Sequence, residues 1–404
     1  MADILDIYLH QKHVGEIISL SNERSLFNLL DSYIENEERS TLSLSFLRAN
    51  NTVGASGKPR KLKVEPFFSN LLPEGRLREY IAETNKLSPK REFHLLNVLG
   101  HDLPGGVVVK SRAELTDEAA ELNDEAKAGT YEGEMKFSLA GVQMKMSAIK
   151  DAAGGLTVPA HGLGGAWILK FASERFQSVP ENEFWMMTFA QRLGFDVPEI
   201  ELLETHKIGG LPEGLRSDLG RTFAIRRFDR TDHGRVHIED FAQVFGIWSS
   251  MKYDRVNHEM IGRVLAEQVG MDGVLEYIRR LVFSMGIGNG DMHAKNWSLI
   301  YQDQRTPTLA PMYDYLSTLT YEAKPAFALN FADRKTYEDF DIDSFKQFAD
   351  ALQLPSGAIV KTAKEMAEKI ADIWATLKTE VELPDFMIAA ISDNINSIPL
   401  FKKQ

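Results

Sequence analysis

The chain has 404 residues, no cysteine and a formal net charge of −12, from 46 Lys and Arg against 58 Asp and Glu. The absence of thiols excludes disulfides, cysteine-ligated zinc, iron–sulfur clusters and a cysteine nucleophile, and the acidic balance argues against tight non-specific binding to nucleic acid, which requires clustered Lys and Arg. The length predicts two or three domains. Asp3 and Asp6 interrupt the apolar residues at the start of the sequence, which argues against a secretion signal. No apolar run approaches the roughly 18 residues of a membrane span, so we expect a cytoplasmic protein with no membrane partner.

Residues 1–110 are predicted to form a small α+β module. Alternating apolar residues predict three strands, at residues 4–9, at residues 14–18 and across Leu42, Leu44 and Phe46. From Pro66 to about Gly100 the apolar spacing becomes helical. Residues 111–134 hold eight acidic and two basic residues, which is half of the net charge. They predict an acidic linker, because such a segment cannot bury enough apolar area to offset its ordering entropy.

The rest of the chain predicts a strand-rich part followed by a helix-rich part. In residues 135–238, glycine-rich loops alternate with strands at residues 166–171 and 222–228, and one helix is predicted at residues 181–193. Residues 239–404 are mostly helical, because their apolar side chains recur at three- and four-residue spacing. The predicted class is therefore α+β, with two lobes beyond the linker.

The most informative polar stretch is residues 288–296, which follows an amphipathic helix and precedes a strand. Asp291, His293, Lys295 and Asn296 fall within six residues of one another. Because glycine and asparagine permit tight turns, these side chains can share one loop between rigid elements, where catalytic groups concentrate. The alternative is an Asx-turn and helix cap with a solvated lysine and histidine.

A second carboxylate, Asp314, follows a short apolar strand 23 residues after Asp291, and a hairpin would bring the two together. Phosphoryl transfer needs a carboxylate to accept the hydroxyl proton, a carboxylate and an amide oxygen to hold Mg²⁺, and a lysine on the phosphates. Asp291, Asp314, Asn296 and Lys170 match these requirements by type. Taken alone, Asp314 is equally consistent with a turn or a helix N-cap, and Lys170 with a solvated strand end.

Together these segments resemble the HipA family of serine/threonine-protein kinase toxins. The matching segments run in order along the chain: residues 67–76, 137–145, 167–170, 180–183, 227–230, 239–243, 288–296 and 313–314. The resemblance therefore extends over about the whole chain. It implies a protein-kinase-like bilobal fold with a small N-terminal α+β subdomain, a strand-rich ATP-binding lobe and a helix-rich C-terminal lobe that carries the catalytic and metal-binding loops.

The resemblance also implies a role for individual residues. Asp291 would be the catalytic base, Asn296 and Asp314 would hold Mg²⁺, and Lys170 would contact the phosphates of ATP. The residues that would complete the nucleotide site are Ala140, Gly141, Val142, Gln143, Met144 and Lys145 over the triphosphate, Arg226, Arg227 and Phe228 in the adenine hinge, and His293, Ala294, Lys295, Asn296, Tyr313 and Asp314 in the pocket. By charge, Lys145, Lys170 and Lys295 are expected to build the phosphate cleft.

In that family the serine that opens the phosphate loop is autophosphorylated, which ejects the loop and switches the kinase off, and Ser138 occupies this position. A phosphoserine adds about −1.5 to −2 charge and is repelled by a triphosphate; the alternative is an ordinary strand-edge hydroxyl. Arg226 stands where the family often has glutamate, which leaves nucleotide preference open. Glu183 either favours the positive end of its helix together with Glu181 or pairs with Lys170.

By resemblance, the chain would be the toxin of a toxin–antitoxin pair, an ATP- and Mg²⁺-dependent serine/threonine-protein kinase. Its partners would be a HipB-like helix-turn-helix antitoxin, operator DNA reached mainly through that antitoxin, and a protein substrate such as glutamate–tRNA ligase. Two alternatives stay open. One is a small-molecule phosphotransferase of similar fold, and the other is a catalytically silent module that holds an antitoxin or repressor.

Overall fold

The computed structural model describes residues 3–47, 52–54, 57–113, 145–150, 155–158, 165–211 and 220–402. Ser138 and the predicted phosphate loop from Ala140 to Met144 lie outside these residues, as does most of the predicted linker. The described residues form three hydrophobic cores, one in the N-terminal module, one in the strand-rich part and a large one in the helical part. No helix within the described ranges is long and apolar enough to cross a membrane.

The N-terminal module is an antiparallel five-stranded sheet covered by short helices. Its strands are β1 (Ile4–Leu9), β2 (Lys12–Leu20), β3 (Arg24–Leu29), β4 (Arg60–Lys61) and β5 (Val107–Ser111), in the order β4-β3-β2-β1-β5. Its helices are α1 (Asp31–Ile34), α2 (Pro66–Ser69), α3 (Gly75–Thr84) and α4 (Glu92–Leu99). Leu5, Ile7 and Leu9 alternate along β1 and are buried in the core with Phe67 and Phe68, so the two-residue period of the sequence does mark one face of the sheet.

The predicted strand across Leu42, Leu44 and Phe46 is wrong, because Leu44–Phe46 is a 3₁₀ helix. The hydroxyl of Ser43 accepts a hydrogen bond from the amide of Ser45 and donates one, at 2.6 Å, to the carboxylate of Glu239. The amide of Leu44 donates to the same carboxylate at 3.0 Å. A carboxylate almost 200 positions away in the sequence therefore replaces the strand partner that the local alternation had suggested.

The strand-rich part is a five-stranded antiparallel sheet backed by one helix. Its strands are β6 (Lys145–Lys150), β7 (Leu156–Thr157), β8 (Trp167–Lys170), β9 (Ile200–Glu204) and β10 (Arg221–Arg226), in the order β7-β6-β8-β10-β9, and its helix is α5 (Val179–Leu193). Both predicted strands and the predicted helix are present. The helix begins before Pro180, which suits its first turn because proline has no amide hydrogen to leave unpaired.

The helical part contains a small three-stranded sheet. After the hairpin of β11 (Arg230–Thr231) and β12 (Gly234–Arg235), its elements are β13 (His237–Asp240), α6 (Phe241–Val244), α7 (His258–Gln268), α8 (Met271–Ile287), β14 (Ser298–Tyr301), β15 (Thr308–Leu309), α9 (Ile342–Ala351), α10 (Ser356–Leu377) and α11 (Asp385–Ser397). The sheet order is β13-β14-β15. The expected boundary after residue 238 falls inside β13, which spans His237–Asp240 and pairs with β14 of the helical part.

The N-terminal module docks directly on the helical part and on the segment that precedes it. The side-chain amide of Asn70 donates to the carbonyl of Ile247 at 2.7 Å, and that of Gln243 donates to the carbonyl of Phe67 at 3.0 Å. The amide of Gly105 donates to the buried carboxylate of Asp229 at 2.7 Å. Because these groups are buried and partnered across the interface, separating the two parts would expose unsatisfied polar groups.

Candidate active site

Two strands of the central sheet present lysines side by side. Lys145 of β6 and Lys170 of β8 are paired in the sheet register, and both ammonium groups approach the carboxylate of Asp314. The ammonium of Lys170 also contacts the carboxylate of Glu183 on α5. These four residues form the lysine–carboxylate cluster. Glu183 therefore does more than favour the positive end of its helix, because its buried carboxylate is the partner of Lys170.

The charges of this cluster are strongly coupled. Burial acts to lower the pKa of Lys170, but the negative charges of Asp314 and Glu183 outweigh burial and raise that pKa above its usual value. Burial acts to raise the pKa of Asp314, but Lys145 and Lys170 hold it well below the ordinary range of an aspartate. Asp314 is consequently an ionised carboxylate at neutral pH. Its backbone has a φ of 58°, a left-handed conformation that costs energy for any residue other than glycine and is concentrated at functional sites.

The Asp291 loop, residues 288–296, begins where α8 ends. Gly288 terminates the helix with a φ of 65°, and a Cβ at this position would lie 2.3 Å from the side chain of Leu319, so the turn requires glycine. The carbonyl of Asn289's side chain accepts from the amide of Asp291 at 3.1 Å, and its NH₂ group donates to the carbonyl of Asp314 at 3.4 Å. The pairing of β14 with β15 closes the predicted hairpin and brings the two carboxylate-bearing loops together.

The loop is also fixed from within and from outside. The side-chain amide of Asn296 donates to the carbonyl of Asp291 at 2.8 Å. The hydroxyl of Tyr253 donates to one carboxylate oxygen of Asp291 at 2.6 Å, and its ring lies edge-on to His293 with 5.0 Å between centroids. His293 is buried, which lowers its pKa to about 4 and keeps the ring neutral at pH 7.

The oxygen donors near the Asp291 loop would suit magnesium better than zinc. Among the described residues no group of three or more His, Cys, Asp or Glu side chains is arranged to hold a metal ion. Mg²⁺ does not need such a group, because it is usually bound by one or two carboxylates together with water and substrate phosphates. The ionised carboxylate of Asp314 and the side chain of Asn296, linked to it through the Asp291 loop, fit that pattern.

The predicted hinge places an aromatic pair beside these loops. The ring of Phe228 is tilted by 41° to that of Tyr313, with 5.6 Å between centroids. The hydroxyl of Tyr313 is hydrogen-bonded to that of Ser298 at 2.6 Å and donates to the carbonyl of Lys295 at 2.9 Å. The amides of Arg226 and Arg227 are already bonded to the carbonyls of Glu199 and Ala166. The amides of Arg226 and Arg227 are therefore engaged within the protein, and the two rings are in contact, with Tyr313 next to Asp314 in the chain.

Two of the predicted nucleotide residues direct their side chains elsewhere. The buried guanidinium of Arg227 binds Asp229 at 2.9 Å and Asp102 at 3.4 Å, and so ties the hinge to the N-terminal module. The ammonium of Lys295 lies 2.6 Å from the carboxylate of Glu74 and 3.2 Å from the carbonyl of Asn70. Lys145 and Lys170 therefore lie together at Asp314, whereas the ammonium of Lys295, the third lysine of the expected cleft, is engaged by a carboxylate of the N-terminal module.

Sequence reasoning missed two residues that shape the site. Tyr253 lies in an irregular turn 38 residues before Asp291, and no local pattern marks it. Glu74 lies within residues 67–76, which the family resemblance includes without assigning it a role. Its proximity to Lys295 arises only from the docking of the two parts.

The fold and the site define a class of protein, namely a bilobal, protein-kinase-like α+β fold preceded by a separate N-terminal module. The chain matches the model of the HipA-like C-terminal domain over residues 137–374 and that of the HipA N-terminal domain over residues 5–110. The chain belongs to the HipA family, and the predicted fold class is confirmed.

Individual relatives agree with this assignment. The chain is 45% identical to the Y4dM protein of Sinorhizobium fredii over 397 residues, which cover 98% of this chain and 96% of that protein. It is 24% identical to the serine/threonine-protein kinase toxin HipA of Shewanella oneidensis over 399 residues, which cover 89% and 87% of the two chains. A solved complex of Shewanella oneidensis HipA, HipB and operator DNA shares the fold with a TM-score of 0.72 at 20% identity and covers 98% of this chain and 96% of that one.

Proposed function

We propose that the chain is an ATP- and Mg²⁺-dependent kinase that transfers the γ-phosphoryl group to a serine or threonine hydroxyl of a protein. The observation that carries this proposal is the convergence of the Asp291 loop and Asp314 beside the buried pair of Lys170 and Glu183. A phosphotransferase needs these groups together: a base, an ionised metal ligand and a fixed cation for the phosphates.

In this proposal Asp291 accepts the proton of the substrate hydroxyl. The hydroxyl oxygen bonds to the γ-phosphorus while the bond from that phosphorus to the oxygen bridging the β- and γ-phosphates breaks. Tyr253 leaves the second carboxylate oxygen of Asp291 available for this proton, because its hydroxyl occupies only the first. Mg²⁺, when held by Asp314 and Asn296, offsets the negative charge of the phosphates.

The remaining residues bind the nucleotide. Lys170 and the more exposed Lys145 contact phosphate oxygens, for which they exchange part of their contact with Asp314. The adenine stacks against the paired rings of Phe228 and Tyr313, and stacking of this kind does not depend on the side chain at position 226. The arginine at position 226, where the family often has glutamate, is therefore expected to leave ATP binding intact.

The biological role that we propose is that of the toxin in a toxin–antitoxin pair. Family membership supports it, as does the Shewanella oneidensis complex of HipA with HipB and operator DNA. A small helix-turn-helix antitoxin would supply the contacts to operator DNA that an acidic chain is poorly suited to make. The proposed substrate is a translation component such as glutamate–tRNA ligase, and autophosphorylation of Ser138 is the proposed off-switch.

Intact mass after incubation with ATP and Mg²⁺ tests the proposal. We expect the wild-type chain to gain phosphate, Ser138→Ala to lose that gain while still modifying glutamate–tRNA ligase, and Asp291→Asn to modify neither protein. ATP consumption that responds to a metabolite and leaves both protein masses unchanged would favour a small-molecule phosphotransferase. The absence of both ATP consumption and mass gain would favour a silent antitoxin-binding module.

A further inference from the structure

One carboxylate of the N-terminal module joins two lysines, one within the Asp291 loop and one beside it. One oxygen of Glu74 lies 2.6 Å from the ammonium of Lys295, and the other lies 3.0 Å from the ammonium of Lys252. Lys295 also donates to the backbone carbonyl of Asn70 at 3.2 Å. Both lysines belong to the kinase part of the chain, so this three-residue bridge crosses the interface between the modules.

Lys295 connects the bridge to Asp291 because it lies within the Asp291 loop. It lies in the 3₁₀ turn Ala294–Asn296, and the next residue, Asn296, donates to the carbonyl of Asp291 at 2.8 Å. The carbonyl of Lys295 itself accepts from the hydroxyl of Tyr313, the residue directly before Asp314. The position of Lys295 therefore sets that of both carboxylate-bearing loops.

Lys252 is connected to the same loop through its own backbone and through the next residue. Its carbonyl accepts from the amide of Ala294 at 3.3 Å. The next residue, Tyr253, donates its hydroxyl to the carboxylate of Asp291. A displacement of Lys252 would therefore move Tyr253, which among the described residues is the side-chain donor to that carboxylate.

Glu74 is itself well anchored and ionised. It directly precedes helix α3, and the segment before it is fixed to the kinase part through the bonds from Gln243 to Phe67 and from Asn70 to Ile247. Burial acts to raise the pKa of Glu74, but Lys295 and Lys252 hold it below the usual range. Its side chain is 40% exposed, and ion pairs at such positions contribute little to the stability of a protein. The contact is therefore better suited to orienting the loop than to holding the modules together.

We propose that Glu74 is a positioning residue for catalysis, through which the N-terminal module completes the active site of the kinase. The inference rests on the proposed phosphotransferase function and extends it, because it makes the rate of transfer depend on the docking of that module. Glu74 does not contact the reacting atoms. It acts on Asp291 through Lys252 and Tyr253 on one side and through Lys295 and Asn296 on the other.

The test compares Glu74→Gln with Glu38→Gln in the full-length chain. Glu38 is a matched control because it also forms an ion pair, with Arg305, across the same interface. Among the described residues, no hydrogen bond or ion pair joins Glu38 or Arg305 to residues 288–296. Initial rates of phosphate transfer from ATP to glutamate–tRNA ligase give kcat and KM, and thermal melting monitors folding. We expect Glu74→Gln to lower kcat by roughly 10- to 100-fold, because small misplacements of a catalytic group have effects of this size, with KM for ATP and the melting temperature close to wild type.

Glu74→Asp keeps the charge and should recover part of the lost kcat, whereas Glu38→Gln should retain the wild-type value. The inference is refuted if Glu74→Gln transfers phosphate as fast as wild type, if Glu38→Gln is equally slow, or if the loss in Glu74→Gln follows only from a lower melting temperature. A wild-type chain that transfers no phosphate would instead refute the proposed function itself, so the two failures are distinguishable.

Discussion

The carboxyl group of Glu239 provides a pH-dependent test of how the N-terminal module is held. It is 0% exposed and accepts hydrogen bonds from the hydroxyl of Ser43, the amide of Leu44 and the hydroxyl of Tyr301. Burial raises its pKa to about 7, against an ordinary value of 4.5, although the three donors oppose this change. The folded protein therefore binds a proton at Glu239 under conditions in which the unfolded chain has already released it.

The sign of the effect follows from this difference. A pKa that is raised on folding gives stability that is fully present below about pH 4.5 and is lost as the pH rises through about 7. A difference of this size corresponds to about 3 kcal/mol at 1.36 kcal/mol per pH unit, most of it lost between about pH 5 and pH 8. For a chain of this length that melts as one unit, this equals roughly 3 to 4 °C in melting temperature.

Thermal melting of wild type and Glu239→Gln at a series of pH values measures the effect. Glutamine cannot titrate, and the hydroxyls of Ser43 and Tyr301 can rotate to bond its amide, so we expect the variant to fold. Relative to the variant, wild type should lose stability steadily from pH 5 to pH 8, while Glu38→Gln, which removes an exposed carboxylate, should follow wild type. A constant difference between wild type and Glu239→Gln across this range would refute the reasoning.

Three further predictions concern the candidate active site. Lys170→Met should reduce the rate of phosphate transfer by about 100-fold or more, because it removes a fixed cation and leaves Glu183 and Asp314 without that cation. Lys145→Met should have a smaller effect, because Lys145 is 45% exposed and 3.4 Å from Asp314. Steady-state kinetics in which Lys145→Met is the slower variant would contradict this prediction. Tyr253→Phe should lower kcat by about 10- to 100-fold with little change in KM for ATP, since it frees the carboxylate of Asp291 to rotate, and an unchanged kcat would count against that role. Phe228→Ala should raise the dissociation constant of ATP by up to about tenfold, the equivalent of an aromatic contact, and calorimetric titration that finds equal affinity would exclude this ring from the nucleotide pocket.

The sequence predicted the parts of the site that follow from local pattern. Helix α8, strand β14 and the glycine-rich turn between them were visible in residue spacing, so the Asp291 loop could be located. The pairing of Lys170 with Glu183 was one of two open alternatives, and the structure selects it because the helix directs its second acidic residue into the sheet. These features depend on short stretches of chain whose periodicity fixes which side chains share a face.

The parts that were not predicted depend on contacts between distant segments. The turn of Leu44–Phe46 is set by Glu239, and the ammonium of Lys295 is engaged by Glu74 across an interface. Neither contact can be predicted from local hydrophobic periodicity, because the side chains that meet belong to separate modules and are far apart in the sequence. The same reason explains why Tyr253 could not be assigned to the site from its irregular turn.

The most direct test of the proposed phosphotransferase is the initial rate of ³²P transfer from γ-labelled ATP to protein serine or threonine, measured for wild type and Asp291→Asn with and without Mg²⁺. We expect transfer by wild type that requires Mg²⁺, and its loss in Asp291→Asn while the variant still melts like wild type and still binds ATP. Transfer by Asp291→Asn at a rate close to wild type would contradict the role of Asp291 as the base. The absence of transfer by wild type to any protein would contradict the account as a whole.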